Sequence, residues 1–169
     1  MFPIKKYRYY IPRSDKPGGF GFSRKHDVHT GIDLYCEEGT EVHAIVSGKV
    51  VNTGRFTGKD VGSSWWNDTD FIMIESEYSY GNILYGEIEI REDIKIGDEI
   101  KTGEIIGKVK QVLKNDKGLP MSMLHIEEYD NIIEPVTWYN DNPRPIGLLD
   151  PYDLLFQELM LMSTNGKFI

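Results

Sequence analysis

A histidine and an aspartate separated by three residues lie near the start of this chain, in the stretch His29-Thr30-Gly31-Ile32-Asp33. Because Gly31 has no Cβ, we expect the backbone to bend between the two side chains, so that both turn inward from one short loop. A neutral imidazole and a carboxylate are good zinc ligands, but a catalytic zinc site needs a third protein ligand and an open position. A metal site here therefore depends on a fold that brings a distant ligand to this loop.

Short apolar segments separated by glycine and proline predict an all-β fold. The chain contains 17 Gly and 8 Pro, in keeping with many turns. Apolar residues alternate between Glu41 and Thr53 around Ser47-Gly48-Lys49, which predicts a β-hairpin. The segment Phe71-Ile72-Met73-Ile74 is too apolar for simple alternation and is predicted to be a central strand, followed by a turn over residues 79–82.

The chain is predicted to form one domain over residues 18–169, preceded by an extended N-terminal arm over residues 1–17. The arm carries the aromatic residues Tyr7, Tyr9 and Tyr10. A C-terminal helix is predicted over residues 151–162, because Asp150 can cap it and Pro151 suits its first position. Its docking face is predicted to contain Tyr152, Leu155, Phe156 and Leu159.

The order and spacing of several motifs over residues 18–152 resemble those of the lysostaphin-type (LytM-like) zinc metallopeptidases. The matching segments are Gly18-Gly19-Phe20-Gly21-Phe22 through Arg24, His29 to Leu34, Glu38 to Ala44, Gly48 to Val51, Tyr85 to Ile88, Ile96 to Gly103 and Met123 to Glu127. This resemblance implies an antiparallel lysostaphin-like β-sheet domain of the barrel-sandwich hybrid type, with long loops. It also implies a peptidase that cuts the peptide cross-links of peptidoglycan, or a related peptide or amide bond.

The resemblance implies one zinc ion, held by His29, Asp33 and His125. In the family these ligands are the histidine and aspartate of the first motif and the second histidine of a His-x-His motif. A lone strand histidine such as His125 is otherwise more often a satisfied structural residue. With the family motif around it, His125 is interpreted as the third ligand.

Two positions depart from the family pattern. Met123 replaces the first histidine of the His-x-His motif and has no proton to donate. Glu87 replaces a second catalytic histidine, in a segment that usually reads Tyr-x-His. A glutamate is the general base of the HExxH zinc peptidases, so Glu87 is a candidate base. Alternatively, Glu87 only neutralises a structural zinc or hydrogen-bonds the backbone.

The sequence thus leaves different functions open. One is a zinc hydrolase with weak activity, and another is a catalytically inactive zinc domain that binds a cell-wall fragment, a peptide or a protein partner. A carrier-type hybrid domain is disfavoured because the modified lysine of such domains is missing. The candidates for a substrate groove are Trp65, Trp66, Met123 and Tyr85, with the two tryptophans at the end of a polar, Gly-rich loop.

The net charge of −8 argues against nucleic acid as a partner, since no basic stripe is present to neutralise phosphates. The first residues contain no apolar run of a signal peptide, and no later segment is long enough to span a bilayer. The sequence therefore predicts a cytoplasmic or non-classically released protein, which a phage or viral product would also fit. The single Cys36 excludes an internal disulfide and is interpreted as a buried structural thiol rather than as a fourth, soft ligand near the site.

Overall fold

The computed structural model of the chain describes residues 1–5, 10–77, 81–116, 118 and 120–164. Tyr7 and Tyr9 of the predicted arm, Ser79 and Tyr80 of the predicted turn, and residues 165–169 of the predicted domain lie outside this part.

Short β-strands, one 3-10 turn and one α-helix make up the regular structure of the described residues. In chain order they are β1 (Asp27–Val28), β2 (Ile32–Tyr35), β3 (Glu41–His43), β4 (Gly48–Thr57), the 3-10 turn Lys59–Val61, β5 (Thr69–Ser76), β6 (Asn82–Ile90), β7 (Glu99–Ile100), β8 (Ile105–Val109), β9 (Met123–Tyr129), β10 (Trp138–Tyr139), β11 (Leu148–Leu149) and α1 (Tyr152–Thr164).

The main sheet has the strand order β11-β9-β6-β5-β4-β7. Away from this path, β2 pairs with β9, and β8 pairs with both β3 and β6. The pairings between these strands are antiparallel and do not close into a barrel. The small strands β1 and β10 form a separate two-stranded sheet. An antiparallel all-β fold with one C-terminal helix, as predicted, is confirmed.

The strands β5 and β6 form the centre of the sheet and of the hydrophobic core. Phe71 to Ile74 on β5 and Ile83 to Tyr85 on β6 are consecutive buried residues, so both faces of these strands are covered. The strand β5 has β4 on one side and β6 on the other. The prediction of a central strand at Phe71 to Ile74 is therefore confirmed, because continuous apolar character reflects burial on both faces.

The predicted hairpin over residues 41–53 is wrong. The strand β3 pairs with β8, and β4 pairs with β5 and β7. Gly48 lies at the start of β4, and a Cβ on it would approach the carbonyl oxygen of Glu75 to 1.9 Å. The glycine thus permits close contact between neighbouring strands, where the sequence pattern suggested a turn.

The N-terminal segment has no helix or strand in its described residues, and these residues pack into the core. Phe2, Ile4 and Ile11 are buried there. The carbonyl oxygen of Pro3 accepts a hydrogen bond from the backbone amide of His43 (2.8 Å). The described residues of this segment therefore pack against the sheet through Phe2, Ile4 and Ile11, while Tyr10 stays exposed.

The helix α1 begins where its cap was predicted. The carboxylate of Asp150 accepts a hydrogen bond from the backbone amide of Tyr152 (3.0 Å). Leu155 is fully buried and Leu159 packs against the core, as predicted, but Phe156 is largely exposed. No helix among the described residues is long and apolar enough to cross a membrane.

Candidate metal centre

The loop that contains His29 is held against β9 by a glycine. A Cβ on Gly31 would lie 2.3 Å from the carbonyl oxygen of Ile126 and 2.7 Å from Nε2 of His125. Gly31 is therefore required for the close approach of this loop to β9, rather than for a special backbone angle. Asp33 follows on β2 directly opposite His125 on β9, so the strand register places the two side chains together.

Three buried side chains, those of His29, Asp33 and His125, bring one donor atom each to a common point. Nε2 of His29 lies 3.1 Å from Oδ1 of Asp33 and 3.2 Å from Nδ1 of His125. Nδ1 of His125 lies 2.8 Å from the same Asp33 oxygen. Within the described part of the chain, these residues form the one group of ligand-type side chains with such close donor atoms.

The spacing of these donor atoms fits a tetrahedrally coordinated metal ion. Bonds of about 2.0–2.1 Å at tetrahedral angles place neighbouring ligand atoms about 3.3 Å apart. The three observed separations, 2.8, 3.1 and 3.2 Å, are close to that edge length. Two nitrogen donors and one carboxylate oxygen also suit zinc, and three ligands leave the fourth tetrahedral position open.

Each histidine is oriented by a hydrogen bond on its other nitrogen. Nδ1 of His29 donates to the carbonyl oxygen of Gly19 (3.0 Å), and Nε2 of His125 donates to Oε1 of Glu127 (3.0 Å). The hydroxyl of Tyr129 donates to the other oxygen of Glu127 (2.5 Å). These bonds select the tautomers that leave Nε2 of His29 and Nδ1 of His125 with free lone pairs, as metal ligands require.

The electrostatics of the cluster favour positive charge. Burial raises the pKa of Asp33, but attraction to His29 and hydrogen bonds from His125 and His29 outweigh it and hold this pKa well below its usual range. Burial lowers the pKa of His125, yet hydrogen bonds with Asp33 and Glu127 raise the net value to about 10. The two carboxylates thus stabilise a cation at this point, whether a proton or a metal ion.

Glu87 lies beside the cluster on β6, in an unusual backbone conformation. Its φ is +63°, in the left-handed region that is costly for a residue with a side chain. The carboxylate is buried, and its Oε2 has no hydrogen-bond partner among the described residues. Burial and then the charge of Asp33 raise the pKa of Glu87 to about 8. A buried carboxylate oxygen that lacks a partner in the described part of the chain, at a strained backbone position, suggests a functional role.

A register shift explains why Glu87 and Tyr85 face different environments. Between the pairs Ile72–Tyr85 and Asp70–Ile88, β6 has one residue more than β5, which is a β-bulge. Tyr85 is fully buried, and its hydroxyl accepts a hydrogen bond from the backbone amide of Ile45 (2.8 Å). The structure therefore places Tyr85 in the core, and its predicted role in a substrate groove is corrected.

The other candidates for a substrate groove differ in how far they are exposed. Met123 is buried on the same face of β9 as His125. The side chain of Trp65 is 63% exposed, and it contacts Trp66 edge to face with ring centroids 5.9 Å apart. Trp66 is half-buried and bridges to Leu113. Among the described residues, no hydrogen bond or ring contact joins either indole to the metal cluster, so their role in a groove stays a prediction.

Several side chains near the centre were missed by the sequence analysis. Phe56 packs against His125 with ring centroids 5.1 Å apart, and Arg24 approaches Oδ2 of Asp33 to 3.5 Å. Tyr35 is half-buried two residues after Asp33, and burial and then the charge of Asp33 raise its pKa to about 12. Glu127 could have been found, because it follows His125 by two residues and shares its strand face.

Comparison with known proteins identifies the family to which this chain belongs. Residues 27–135 match the sequence profile of Peptidase family M23, which is more than half of the chain and includes His29, Asp33 and His125. The chain therefore belongs to Peptidase family M23. A comparison with curated proteins gives no match.

Solved structures with the same fold include the catalytic domain of a peptidase. The catalytic domain of the antimicrobial peptidase lysostaphin from Staphylococcus simulans is 21% identical, with a TM-score of 0.57, and the match covers 88% of this chain and 92% of that one. LytU is 20% identical, with a TM-score of 0.55, and the match covers 90% of this chain and 86% of that one. These likenesses establish a lysostaphin-like fold, as the sequence resemblance predicted.

Some similar structures are considerably longer than this chain. A peptidase M23 from Pseudomonas aeruginosa is 17% identical, with a TM-score of 0.51, and the match covers 91% of this chain but only 50% of that one. The match to the antimicrobial peptidase lysostaphin from Staphylococcus simulans covers 55% of that chain. The present chain thus spans about half the length of these two proteins.

Proposed function

We propose that this protein is a zinc-dependent peptidase that hydrolyses a peptide or amide bond of peptidoglycan peptides. The observation that carries the proposal is the convergence of His29 Nε2, Asp33 Oδ1 and His125 Nδ1 within 3.2 Å of one another. One zinc ion per chain would be held by these atoms. When bound, it would lower the pKa of water toward ~7 and polarise the scissile carbonyl.

Glu87 is proposed as the general base. Its carboxylate is buried beside the cluster, and its Oε2 has no hydrogen-bond partner within the described ranges, so it can accept a proton from an attacking water molecule. As the water oxygen bonds to the carbonyl carbon and the C–N bond breaks, the same proton can pass from Glu87 to the departing amine. General acid–base help of this kind contributes roughly 10²–10⁴ in rate. In the metal-free protein the pKa of Glu87 is raised to about 8, and a nearby cation would lower it, which favours the carboxylate form that a base requires.

The position of Glu87 supports a base rather than a fourth metal ligand. Among the described residues, the group with donor atoms all within 4.8 Å of one another contains His29, Asp33 and His125 but not Glu87. A fourth tetrahedral ligand would need to lie about 3.3 Å from each of the other three donor atoms. The open position is thus available to water and substrate, as in catalytic rather than structural zinc sites.

Family membership supports peptidoglycan peptides as the substrate class. The net charge of −8 offers no general attraction to an anionic cell wall, so recognition depends on local contacts. Trp65 and Trp66 are the proposed contacts of a substrate groove. Exposed aromatic side chains supply a large contact area at a low cost in conformational entropy.

A second candidate is a catalytically inactive domain that binds a cell-wall fragment, a peptide or a protein partner. The specific observation in its favour is Met123, because a thioether cannot donate a hydrogen bond where the family places a histidine. Loss of one donor to the developing oxyanion costs roughly 10²–10³ in rate. We therefore expect activity below that of a relative with both catalytic histidines.

A cleavage assay separates the two candidates. Zinc-loaded protein is incubated with purified peptidoglycan, and newly formed amino groups are quantified with and without a chelator. Slow release of amino groups that the chelator stops is expected, and Glu87→Gln should abolish it while one zinc per chain remains. Binding without cleavage supports the inactive domain. Full cleavage by Glu87→Gln refutes the role of Glu87.

A further inference from the structure

A tyrosine lies directly across the strand pair from the methionine that replaces a family histidine. Tyr35 is the last residue of β2 and pairs with Met123, the first residue of β9. Asp33 pairs with His125 in the same ladder, two residues further along each strand. Because side chains two residues apart share a strand face, Tyr35 and Met123 lie on the face that carries the metal cluster.

We propose that the hydroxyl of Tyr35 donates a hydrogen bond to the substrate carbonyl oxygen as that oxygen gains negative charge during hydrolysis. Tyr35 would then be a catalytic residue that supplies the donor missing at Met123. The inference rests on the peptidase function proposed above. It requires a phenol that is held near the cluster and is free to bond a ligand.

The ring of Tyr35 is held near the cluster by contact with Gly18. A Cβ on Gly18 would lie 2.9 Å from the Tyr35 hydroxyl oxygen and 3.3 Å from its ring carbon Cε2. The same Cβ would lie 3.2 Å from Cβ of Asp33. Gly18 has a φ of +87°, and its carbonyl accepts a hydrogen bond from the backbone amide of Asp33 (2.8 Å). The phenol therefore occupies space that the absent side chain of Gly18 leaves beside Asp33.

The hydroxyl of Tyr35 can donate a hydrogen bond to a ligand, as far as the described residues show. No hydrogen bond joins it to another of the described residues, and the side chain is only half-buried. The hydroxyls of the two buried core tyrosines, by contrast, both have hydrogen-bond partners. The Tyr85 hydroxyl bonds the backbone of Ile45, and the Tyr129 hydroxyl bonds Glu127. Of these three phenols, that of Tyr35 alone is partly exposed, on the strand face that carries the metal cluster.

Substitution of Tyr35 by phenylalanine removes only the hydroxyl. We expect Tyr35→Phe to lower kcat and kcat/KM for peptidoglycan cleavage equally, by roughly 10²–10³-fold, with KM and zinc content unchanged. Tyr10→Phe is the matched control, since Tyr10 is an exposed tyrosine, and its kcat should equal that of the wild type. In a Met123→His background, where an imidazole supplies a second donor, Tyr35→Phe should cost less than about tenfold.

A binding measurement distinguishes failure of this inference from failure of the peptidase function. Inorganic phosphate carries tetrahedral anionic oxygens like those of the transition state, and its affinity for zinc-loaded protein can be measured by calorimetry without any cleavage. We expect Tyr35→Phe to weaken phosphate binding at least threefold, while Tyr10→Phe leaves it unchanged. If the wild type cleaves nothing but phosphate binding still depends on Tyr35, the peptidase function fails and the donor stands. Equal phosphate affinity in Tyr35→Phe and the wild type, or no phosphate binding to the wild type, overturns the inference.

Discussion

At the scale of single residues, the metal centre depends on the residues that orient its ligands as much as on the ligands themselves. Gly19 and Glu127 select the tautomers of His29 and His125, and Gly31 allows the loop to reach β9. The His29 and Asp33 motif and the family resemblance predicted the ligand set from the sequence. The supporting contacts were not predicted. Glu127 could have been found from its strand face, which it shares with His125, but the Gly19 carbonyl and the approach of Gly31 to β9 have no local sequence signature.

Substitution of a ligand tests the centre directly. His29→Ala, Asp33→Ala and His125→Ala should each lose the bound zinc, because two remaining ligands hold a zinc ion too weakly. Elemental analysis of the purified variants measures the zinc content. His26→Ala and His43→Ala are the controls and should keep one zinc per chain, since neither side chain belongs to the cluster. Full zinc content in any of the first three variants contradicts the assignment.

The hydrogen bond from His125 to Glu127 should contribute to metal affinity. Glu127→Gln keeps the size of the side chain but removes the charge that makes the imidazole a stronger donor. We expect a 10–100-fold weaker zinc affinity, as is typical when such a supporting carboxylate is changed. Competition with a coloured chelator measures the dissociation constant. Equal affinity in the variant and the wild type would show that Glu127 only fills space.

The raised pKa of Glu87 has a consequence for the stability of the metal-free protein. Burial and then Asp33 raise this pKa from 4.5 to about 8, so the folded chain keeps a proton that the unfolded chain releases. The stabilisation of the folded state by this proton is fully present below pH 4.5, the pKa of the glutamate in the unfolded chain. It is lost as the pH rises from about 4.5 through about 8, by at most ~1.4 kcal/mol per pH unit.

Glu87→Gln removes this titration. In the presence of a chelator, the free energy of unfolding of the wild type should therefore fall relative to that of Glu87→Gln between about pH 5 and about pH 8. Urea denaturation of both proteins at these two pH values measures the difference. An unchanged difference between the two proteins would place the Glu87 carboxyl in a solvated environment.

At the scale of elements, the sequence predicted strands better than their partners. Continuous apolar residues at Phe71 to Ile74 indicate burial on two faces, whatever the neighbours are. The pairing of β3 with β8 joins segments far apart in the chain, which alternation cannot reveal. The bulge in β6 reverses the expected direction of Tyr85 relative to Glu87. The burial of Phe2 and Ile4 was also missed, because isolated apolar residues beside lysines and prolines show no periodicity.

The packing of the N-terminal segment can be tested by one core substitution. Ile4 is fully buried, so Ile4→Ala should lower the free energy of unfolding by about 2–5 kcal/mol. Ile146 is 97% exposed, and Ile146→Ala is a matched control that should change this free energy by less than about 0.5 kcal/mol. Urea denaturation measures both variants. Similar small effects at the two positions would show that residues 1–5 contribute little to the core.

At the scale of the whole molecule, an antiparallel sheet brings Asp33 to a histidine that lies 92 residues further along the chain. The strand β9 pairs with β2 on one edge and with β6 on the other, so His125 lies opposite Asp33 in one ladder and opposite Gly86, the neighbour of Glu87, in the other. The family resemblance predicted this architecture because the motifs occur in the same order. The resemblance could not decide whether hydrolysis survives the replacement of the two catalytic histidines by Met123 and Glu87. That depends on where the fold places Glu87 and Tyr35.

The position of a bound zinc ion tests the central claim most directly. Crystals of zinc-loaded protein are measured at the zinc absorption edge, and an anomalous difference map locates the ion. We expect one peak per chain, about 2.0–2.1 Å from His29 Nε2, Asp33 Oδ1 and His125 Nδ1, with the Glu87 carboxylate outside bonding distance. A peak elsewhere, or one in which Glu87 completes four protein ligands, would contradict an open catalytic centre.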